Sequence, residues 1–352
     1  MVFATVTTFI ELKTNHRFDK DKEWGNMLAR LREEGATASD LKKINKRVVC
    51  ASNGITEDDI PHDSVCATST NIDKAAINDG IFAKHLEKTH SRDESKPPPK
   101  HTICVKASKL RFQVANDKSL CEGSQHARDT VHGSCGEGHV RCQHNKRYDP
   151  LLKLYKDRPL CINENINVEN CVANGAMCKF LGVTLKEGLE DQIETILIDG
   201  FHVNCVEACH VHSVSVEMID GNHDSKNPKV IELSSKTVSV IVQFPMPFDG
   251  PITKQTTRFR RKMRFEQFPV NVANARTVHK LQGRSIKNLV VTSWNHTGNW
   301  VYVVLSRCST LKGIFLRKPL KKSRPMSEEN RIFHMKFREK KKPKEMEVVD
   351  VQ

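Results

Sequence analysis

The amino-acid sequence predicts an α/β fold in which a small β-barrel is inserted into a domain built from a parallel sheet and flanking helices. Three observations lead to this prediction: helical periodicity near the start, short apolar runs separated by turns in the middle, and a strand–helix–strand pattern near the end. The predicted segments are a first α/β part (1–95), an irregular insertion (96–148), the β-barrel (149–268), the returning α/β part (269–318) and a basic, disordered tail (319–352).

The first part contains a buried strand and three predicted helices, the last of which follows Asn71. The first helix is indicated by apolar residues at helical spacing, namely Trp24, Met27, Leu28 and Leu31. Thr37, with Asp40 three residues later, has the spacing of a capping box at the start of the second helix. The apolar run Val65–Ser69 then predicts a strand. These elements are typical of a helix-covered parallel sheet.

The middle of the chain predicts strands. After Pro97, Pro98 and Pro99, which exclude a helix, residues 100–148 show little periodicity and predict an irregular insertion. The barrel is predicted from short apolar runs at Pro159–Ile162, Met177–Thr184, Thr195–Ile198, Val211–Met218, Lys229–Leu233 and Thr237–Phe244. Asn174 and Gly175 form a tight-turn dipeptide between two of these runs.

The most informative segment lies near the start of the returning α/β part. A strand is predicted to end close to Thr277 and to lead into a short helix with His279 and Lys280, followed by Gln282 and Gly283. A hydroxyl, an imidazole and an ammonium group can contact a phosphodiester backbone. Gln282 and Gly283 can face a nucleotide.

The second informative segment ends at Arg307. A short helix is predicted at Trp300–Cys308, between buried strands at Asn288–Ser293 and Gly313–Leu316. An arginine at the end of a short helix, directed into a cleft, suits the role of an arginine finger on a γ-phosphate.

These two segments resemble motifs V and VI of Pif-type superfamily 1 DNA helicases, a family that includes the helicase part of Helitron transposons. The usual family forms are T-x-H-K-S-Q-G and Y-V-A-L-S-R; here Leu281 replaces the serine and Val304 replaces the alanine. The stretch around Arg17 is similar to motif IV, and Asn163–Gly175 is similar to part of an inserted SH3-like barrel, called 2B. The resemblance implies a RecA-like second domain of the P-loop NTPase fold, called 2A, which carries the barrel.

The resemblance also implies roles for these residues in a 5′→3′ helicase. Arg307 and Arg17 would sense the γ-phosphate of ATP, which the intact family member binds with Mg²⁺. Gln282 and Gly283 would face the nucleotide. Thr277, His279 and Lys280 would hold single-stranded DNA, with RNA as an alternative.

The sequence lacks the residues that bind the nucleotide's phosphates in this family. No glycine is followed by lysine, so there is no G-x-x-x-x-G-K-[ST] phosphate loop, and no Asp-Glu pair ends an apolar strand. In the family these elements belong to a first RecA-like domain, a further partner that this sequence does not contain. We therefore expect this chain alone to bind neither ATP nor Mg²⁺ tightly and to hydrolyse no ATP.

Positive charge indicates an anionic partner. The chain has 56 Lys and Arg against 42 Asp and Glu, a formal net charge of +14, which favours nucleic acid over the alternative of a solvated basic surface. One basic run predicts contact with the phosphate backbone, with Phe259 and Phe265 available for base stacking. Its basic residues include Arg258, Arg260, Arg261 and Lys262.

The 12 cysteines are scattered, which favours reduced thiols and an intracellular, nuclear location over disulfides. No apolar run has the length of a membrane span. One group of zinc-ligand types, with spacing that fits no common zinc finger, is His132, Cys135, His139, Cys142 and His144. A second group would place two pairs on opposite faces of a strand, and we predict no metal for it: Cys205, Cys209, His210 and His212.

Three functions thus remain open at the level of sequence. The first is the sensing and DNA-holding part of an ATP-dependent helicase. The second is a basic nucleic-acid-binding module without enzymatic activity, or a relic of a transposon helicase. The third is a zinc-binding adaptor.

Overall fold

The computed structural model describes residues 16–93, 95–113, 120–122, 148–219, 229–245, 258–323 and 325–339. Its α-helices are α1 (Lys22–Glu33), α2 (Ala38–Asn45), α3 (Asn71–Thr89), α4 (Val278–Leu281), α5 (Trp300–Leu305) and α6 (Glu328–Glu339). The chain divides into two compact units. We call Met1–Ser69 with Arg276–Gln352 the parallel-sheet unit, and Thr70–Ala275 the β-rich unit.

Strands outnumber helices, as the short apolar runs predict. The first nine are β1 (Val65–Thr68), β2 (Thr102–Lys106), β3 (Ser108–Gln113), β4 (Leu120–Glu122), β5 (Leu151–Tyr155), β6 (Pro159–Ile162), β7 (Met177–Leu185), β8 (Glu194–Ile198) and β9 (Phe201–Glu207). The others are β10 (Val211–Met218), β11 (Val230–Leu233), β12 (Lys236–Pro245), β13 (Arg258–Gln267), β14 (Val270–Val272), β15 (Ala275–Thr277), β16 (Leu289–Val291) and β17 (Ile314–Leu316).

The parallel-sheet unit is built around a four-stranded sheet with the order β15-β1-β16-β17. Strands β1, β16 and β17 are parallel, with Val65 paired to Leu289 and Leu289 paired to Ile314. All three residues of β16 and of β17 are buried, which is why both strands are continuous apolar runs in the sequence. The predicted strand–helix–strand order of this region is confirmed.

Helix α1 covers this sheet with the apolar stripe that its sequence predicts. Trp24, Met27 and Leu28 are each 1% exposed, and the Trp24 indole Nε1 donates a hydrogen bond to the Cys308 carbonyl at 3.0 Å. Asp21 caps the helix, because its carboxylate accepts the Trp24 N–H at 2.9 Å. The predicted capping box of Thr37 and Asp40 is present at the start of α2.

The β-rich unit contains three sheets in its described residues. Their orders are β11-β10-β7-β6-β14, β12-β13-β3-β4 and β5-β2-β9-β8. Helix α3 belongs to this unit and packs Phe82 and Leu86 against Phe201 and Val203. The predicted strand content of residues 149–268 is confirmed, while closure into an SH3-like barrel remains a prediction.

Two parts of the predicted organisation need correction. Residues 96–148 are not an irregular insertion throughout, because β2 pairs with β5 and β9, and β3 pairs with β13. These partners are distant in sequence, so local periodicity does not indicate them. The tail is not wholly disordered either, since residues 328–339 form α6. Across the described residues, no helix combines the length and apolar character that a bilayer crossing demands.

Candidate functional site

Arg307 lies directly after α5 and is held by that helix's own last turn. The residue is 9% exposed. Nε donates to the Val303 carbonyl at 2.9 Å, and Nη2 donates to the Ser306 hydroxyl at 2.9 Å. Within the described residues no carboxylate forms an ion pair with Arg307, so its positive charge is oriented but not neutralised.

Arg17 approaches Arg307 from the other end of the sequence. It lies in a 3-10 turn, His16–Phe18, and its Nη1 donates to the Ser306 carbonyl at 3.3 Å. Burial lowers the pKa of Arg307, and the positive charge of Arg17 lowers it further. Two guanidinium groups that meet at one residue repel each other, and a bound anion would relieve that repulsion.

The motif between β15 and β16 presents its polar side chains to solvent. Thr277 stands at the N-cap position of α4 but makes no capping hydrogen bond with its hydroxyl. His279 and Lys280 are exposed, as are Gln282 and Gly283. Gly283 has φ +82°, a left-handed backbone conformation that favours glycine at this turn.

Leu281 has the opposite orientation. It is fully buried and packs with Val278, Val304 and Leu305 in the core of the parallel-sheet unit. Its burial accounts for an apolar residue at the position where T-x-H-K-S-Q-G has a serine. The side chain contributes to the stability of the unit and is not available to contact a ligand.

The structure adds two hydroxyl groups that the sequence analysis does not single out. Ser69 follows β1 and Ser293 follows β16, and their Oγ atoms are 3.4 Å apart. Because β1 and β16 are parallel, both serines lie at the carboxyl edge of the sheet, where open α/β sheets commonly bind ligands. A polar residue placed just after each buried strand is the signal that could have identified them.

The basic run of β13 is only partly described. The backbone of Arg258–Gln267 forms a strand paired with β12. The side chains of Arg258, Arg260, Arg261 and Lys262 lie outside the described residues, so their phosphate contacts remain a prediction. Phe265 is 1% exposed, which makes the predicted base stacking on this ring wrong: the side chain is part of the protein core.

The two zinc hypotheses have different outcomes. The group from His132 to His144 lies outside the described residues. In the second group, the prediction that the side chains alternate between the two faces of one strand is wrong, because residues 208–210 form a 3-10 turn between β9 and β10. Cys205 is buried in the apolar cluster beneath α3, and His212 is exposed on β10. These four side chains therefore do not form one site.

Comparison with known proteins finds similarity in structure and not in sequence. No protein-family model matches the chain, and no curated protein is similar to it at the sequence level. A crystal structure of Bacteroides Pif1 bound to ssDNA aligns with 93% of this chain at a TM-score of 0.51 and 16% identity. Pif1 helicase from Candida albicans aligns with 93% of it at a TM-score of 0.53 and 14% identity.

A third solved structure is Pif1 helicase from Bacteroides in complex with ADP-AlF3 and ssDNA, with a TM-score of 0.51 and 17% identity over 94% of this chain. The chain spans between 55% and 60% of the length of these three structures. Its mixed α/β architecture with a parallel sheet agrees with theirs. We conclude that this chain has the fold of the corresponding part of these Pif1 helicase structures.

Proposed function

We propose that this chain is the γ-phosphate-sensing and DNA-holding part of an ATP-dependent 5′→3′ DNA helicase. The observation that carries the proposal is the meeting of Arg307 and Arg17 at Ser306 without a carboxylate paired to Arg307 among the described residues. Guanidinium groups in this arrangement fit the terminal phosphate of a nucleotide. The Pif1 neighbours solved with ADP-AlF3 and ssDNA support the same ligands.

In this proposal the nucleotide is bound mainly by another RecA-like domain. The sequence has no Gly-Lys dipeptide and hence no phosphate loop, so residues of this chain do not supply the Mg²⁺ site. Arg307 and Arg17 would stabilise the charge that develops on the γ-phosphate. Gln282 and Gly283, exposed just after α4, would contact the nucleotide as the two domains close.

The proposed DNA contacts lie at the carboxyl edge of the parallel sheet and on α4. Ser69 and Ser293 offer neighbouring hydroxyls, and Thr277 has a hydroxyl that is not used for capping. The exposed His279 and Lys280 add an imidazole and an ammonium group to the proposed contacts. Such groups bind the phosphate backbone and do not read the base sequence, which suits a protein that translocates along single-stranded DNA.

DNA binding by this chain alone tests the proposal. Lys280→Ala should weaken binding of a fluorescent oligothymidine by about 1 kcal/mol and reduce the slope of log K against log salt by about 0.7. The matched control is Lys312→Ala, which removes the same charge from the turn before β17, at the amino edge of the sheet. Equal losses for both variants would indicate a general charge effect and contradict the proposed surface.

ATP turnover tests the arginine roles. The chain alone should hydrolyse no ATP with DNA present. When it is fused to a RecA-like domain that carries the phosphate loop, Arg307→Ala should lower turnover by about 10³-fold or more. Arg331→Ala, an exposed arginine on α6, should leave the rate unchanged. DNA binding with no turnover in any fusion would favour the alternative of a non-enzymatic nucleic-acid-binding module.

A further inference from the structure

A short turn in the β-rich unit brings together three side chains of metal-ligand type. The 3-10 turn Ala208–His210 connects β9 to β10. Glu207, Cys209 and His210 each direct a ligand atom to this point, and these atoms all lie within 4.8 Å of one another. The spacing Glu-x-Cys-His places three different donors within four consecutive residues.

The main chain of this turn is fixed from outside. The Lys186 N–H donates to the His210 carbonyl at 2.9 Å, and the Lys186 ammonium donates to the Cys209 carbonyl at 2.7 Å. The Val211 N–H closes the turn on the Ala208 carbonyl. Because these bonds hold the backbone, the turn that carries the three side chains is ordered before a ligand binds. This lowers the entropic cost of binding.

The side chains leave donor atoms available. The Cys209 thiol donates to Glu207 Oε2 at 3.6 Å, while Glu207 Oε1 lies 3.7 Å from the Lys106 ammonium. The carboxylate can therefore keep its contact with Lys106 and present its other oxygen to an ion. His210 Nδ1 is buried and has no hydrogen-bond partner among the described residues. A buried ring nitrogen without a partner is costly, and coordination would satisfy it.

Two of the three ammonium groups near the turn are paired with carboxylates, and the third, that of Lys186, donates to the Cys209 carbonyl. Lys106 contacts Glu194 as well as Glu207, and Lys109 pairs with Glu266 at 2.8 Å. A divalent cation would thus meet one carboxylate and one thiol whose proton it can displace, leaving a neutral site. Sulfur, nitrogen and oxygen donors together favour zinc over calcium or magnesium, which prefer oxygen alone.

We propose that Glu207, Cys209 and His210 form a three-ligand zinc site with its fourth position open to water. Binding would replace the S–H bond of Cys209 by an S–Zn bond and release the proton to solvent. The site uses two residues that the sequence analysis considered, Cys209 and His210. It adds Glu207. It does not use Cys205, which is buried in the core, or His212.

Cobalt titration of the purified chain tests this site, because a Co²⁺–thiolate bond gives a charge-transfer absorption band. The chain should bind one equivalent with this band. Cys209→Ser should abolish the band, and His210→Gln and Glu207→Gln should each weaken binding at least tenfold. The matched control is Cys171→Ser, an exposed cysteine outside the cluster, which should titrate as the unmodified chain.

A double variant, Cys135→Ser with Cys142→Ser, separates this site from the other sequence cluster. A band kept in the double variant and lost in Cys209→Ser supports the proposal. A band lost only in the double variant, or absent from the unmodified chain, overturns it. Far-UV circular dichroism of each variant checks folding. If Cys209→Ser fails to fold, His210→Gln decides the outcome. Weaker cobalt binding by His210→Gln supports the proposal, and unchanged cobalt binding overturns it.

Discussion

Arg158 in the β-rich unit and Arg307 in the parallel-sheet unit are both buried, and their guanidinium groups have different partners. In the β-rich unit Arg158 is 1% exposed. Its Nε donates to Asn274 Oδ1 at 3.0 Å, its Nη2 to the Asn78 carbonyl at 2.7 Å, and its Nη1 to the Lys153 carbonyl. The guanidinium also lies 5.2 Å from the ring centroid of Phe82. Every nitrogen of Arg158 is thus engaged, and two of the three acceptors belong to residues distant along the chain.

The guanidinium of Arg307 in the parallel-sheet unit donates to its own local turn. Its acceptors are Val303 and Ser306, and the positive charge of Arg17 lowers its pKa. Burial lowers the pKa of both arginines, that of Arg158 to about 10. Burial alone therefore does not separate Arg158 from Arg307, for which we propose a ligand-binding role, whereas the partners of the guanidinium do.

The largest expected effect contrasts these two residues directly. Arg158→Met should lower the free energy of unfolding of the β-rich unit by about 3 kcal/mol or more, because three buried acceptors lose their donor. Arg307→Ala should change the free energy of unfolding of its unit by less than about 1 kcal/mol, because the loss of two local bonds is offset by relief of repulsion from Arg17.

Urea unfolding can follow the two units separately. The three tryptophans all belong to the parallel-sheet unit: Trp24, Trp294 and Trp300. Tryptophan fluorescence therefore reports this unit, while far-UV circular dichroism includes the strands of the β-rich unit. Arg158→Met should shift the dichroism transition and leave the fluorescence transition in place. A large shift of the fluorescence transition in Arg307→Ala would mean that Arg307 stabilises the fold as Arg158 does, and would contradict the contrast between the two residues.

A second prediction concerns Leu281, the buried residue of a motif whose exposed residues are the proposed ligand contacts. Leu281→Ser restores the usual family residue but places a hydroxyl in the core beside Val304 and Leu305. We expect a loss of about 2–4 kcal/mol in the free energy of unfolding, seen by tryptophan fluorescence. The exposed neighbour provides the control, since Lys280→Ala should leave this transition unchanged. Stability retained in Leu281→Ser would mean that the core adapts to a serine here.

The sequence predicts the parallel-sheet unit better than the β-rich unit, for a physical reason. In β16 and β17 every residue is buried, and in α1 the apolar residues recur at helical spacing, so local patterns are sufficient. Strand β2 pairs in parallel with β9, about a hundred residues away, and no local pattern encodes that pairing. The alternation expected of a strand likewise does not predict the 3-10 turn at Ala208–His210.

The candidate site follows the same rule. Motif spacing identifies Thr277, Lys280 and Arg307, because these residues lie on short local elements. The Ser69–Ser293 pair depends on the register between two strands 224 residues apart. The convergence of Arg17 on Ser306 depends on packing of the unit's first segment against α5. Geometry of this kind becomes visible only when the chain is folded.

The smallest expected effect concerns acid stability of the β-rich unit. His85 stacks on Tyr155 with ring centroids 4.0 Å apart, and its Nε2 contacts the Thr102 hydroxyl at 3.0 Å. Burial lowers the pKa of His85 to about 4, and the charges of His90 and Arg158 contribute. The unfolded chain, whose His85 has a pKa near 6.5, binds more protons between these two values. The free energy of unfolding should therefore fall as the pH falls from 6.5 to 4.

His85→Phe keeps an aromatic ring against Tyr155 but cannot take up a proton. It should remove about 1 kcal/mol of the stability difference between pH 7 and pH 4.5, since solvent screens the charge of a half-buried histidine. His212→Gln replaces an exposed histidine of the same unit and should leave the difference intact. Urea unfolding followed by circular dichroism at both pH values measures this difference in the free energy of unfolding. Because the parallel-sheet unit does not contain His85, its tryptophan transition should respond equally to pH in all three proteins. An altered tryptophan response in His85→Phe would show that acid sensitivity is not a property of the β-rich unit alone.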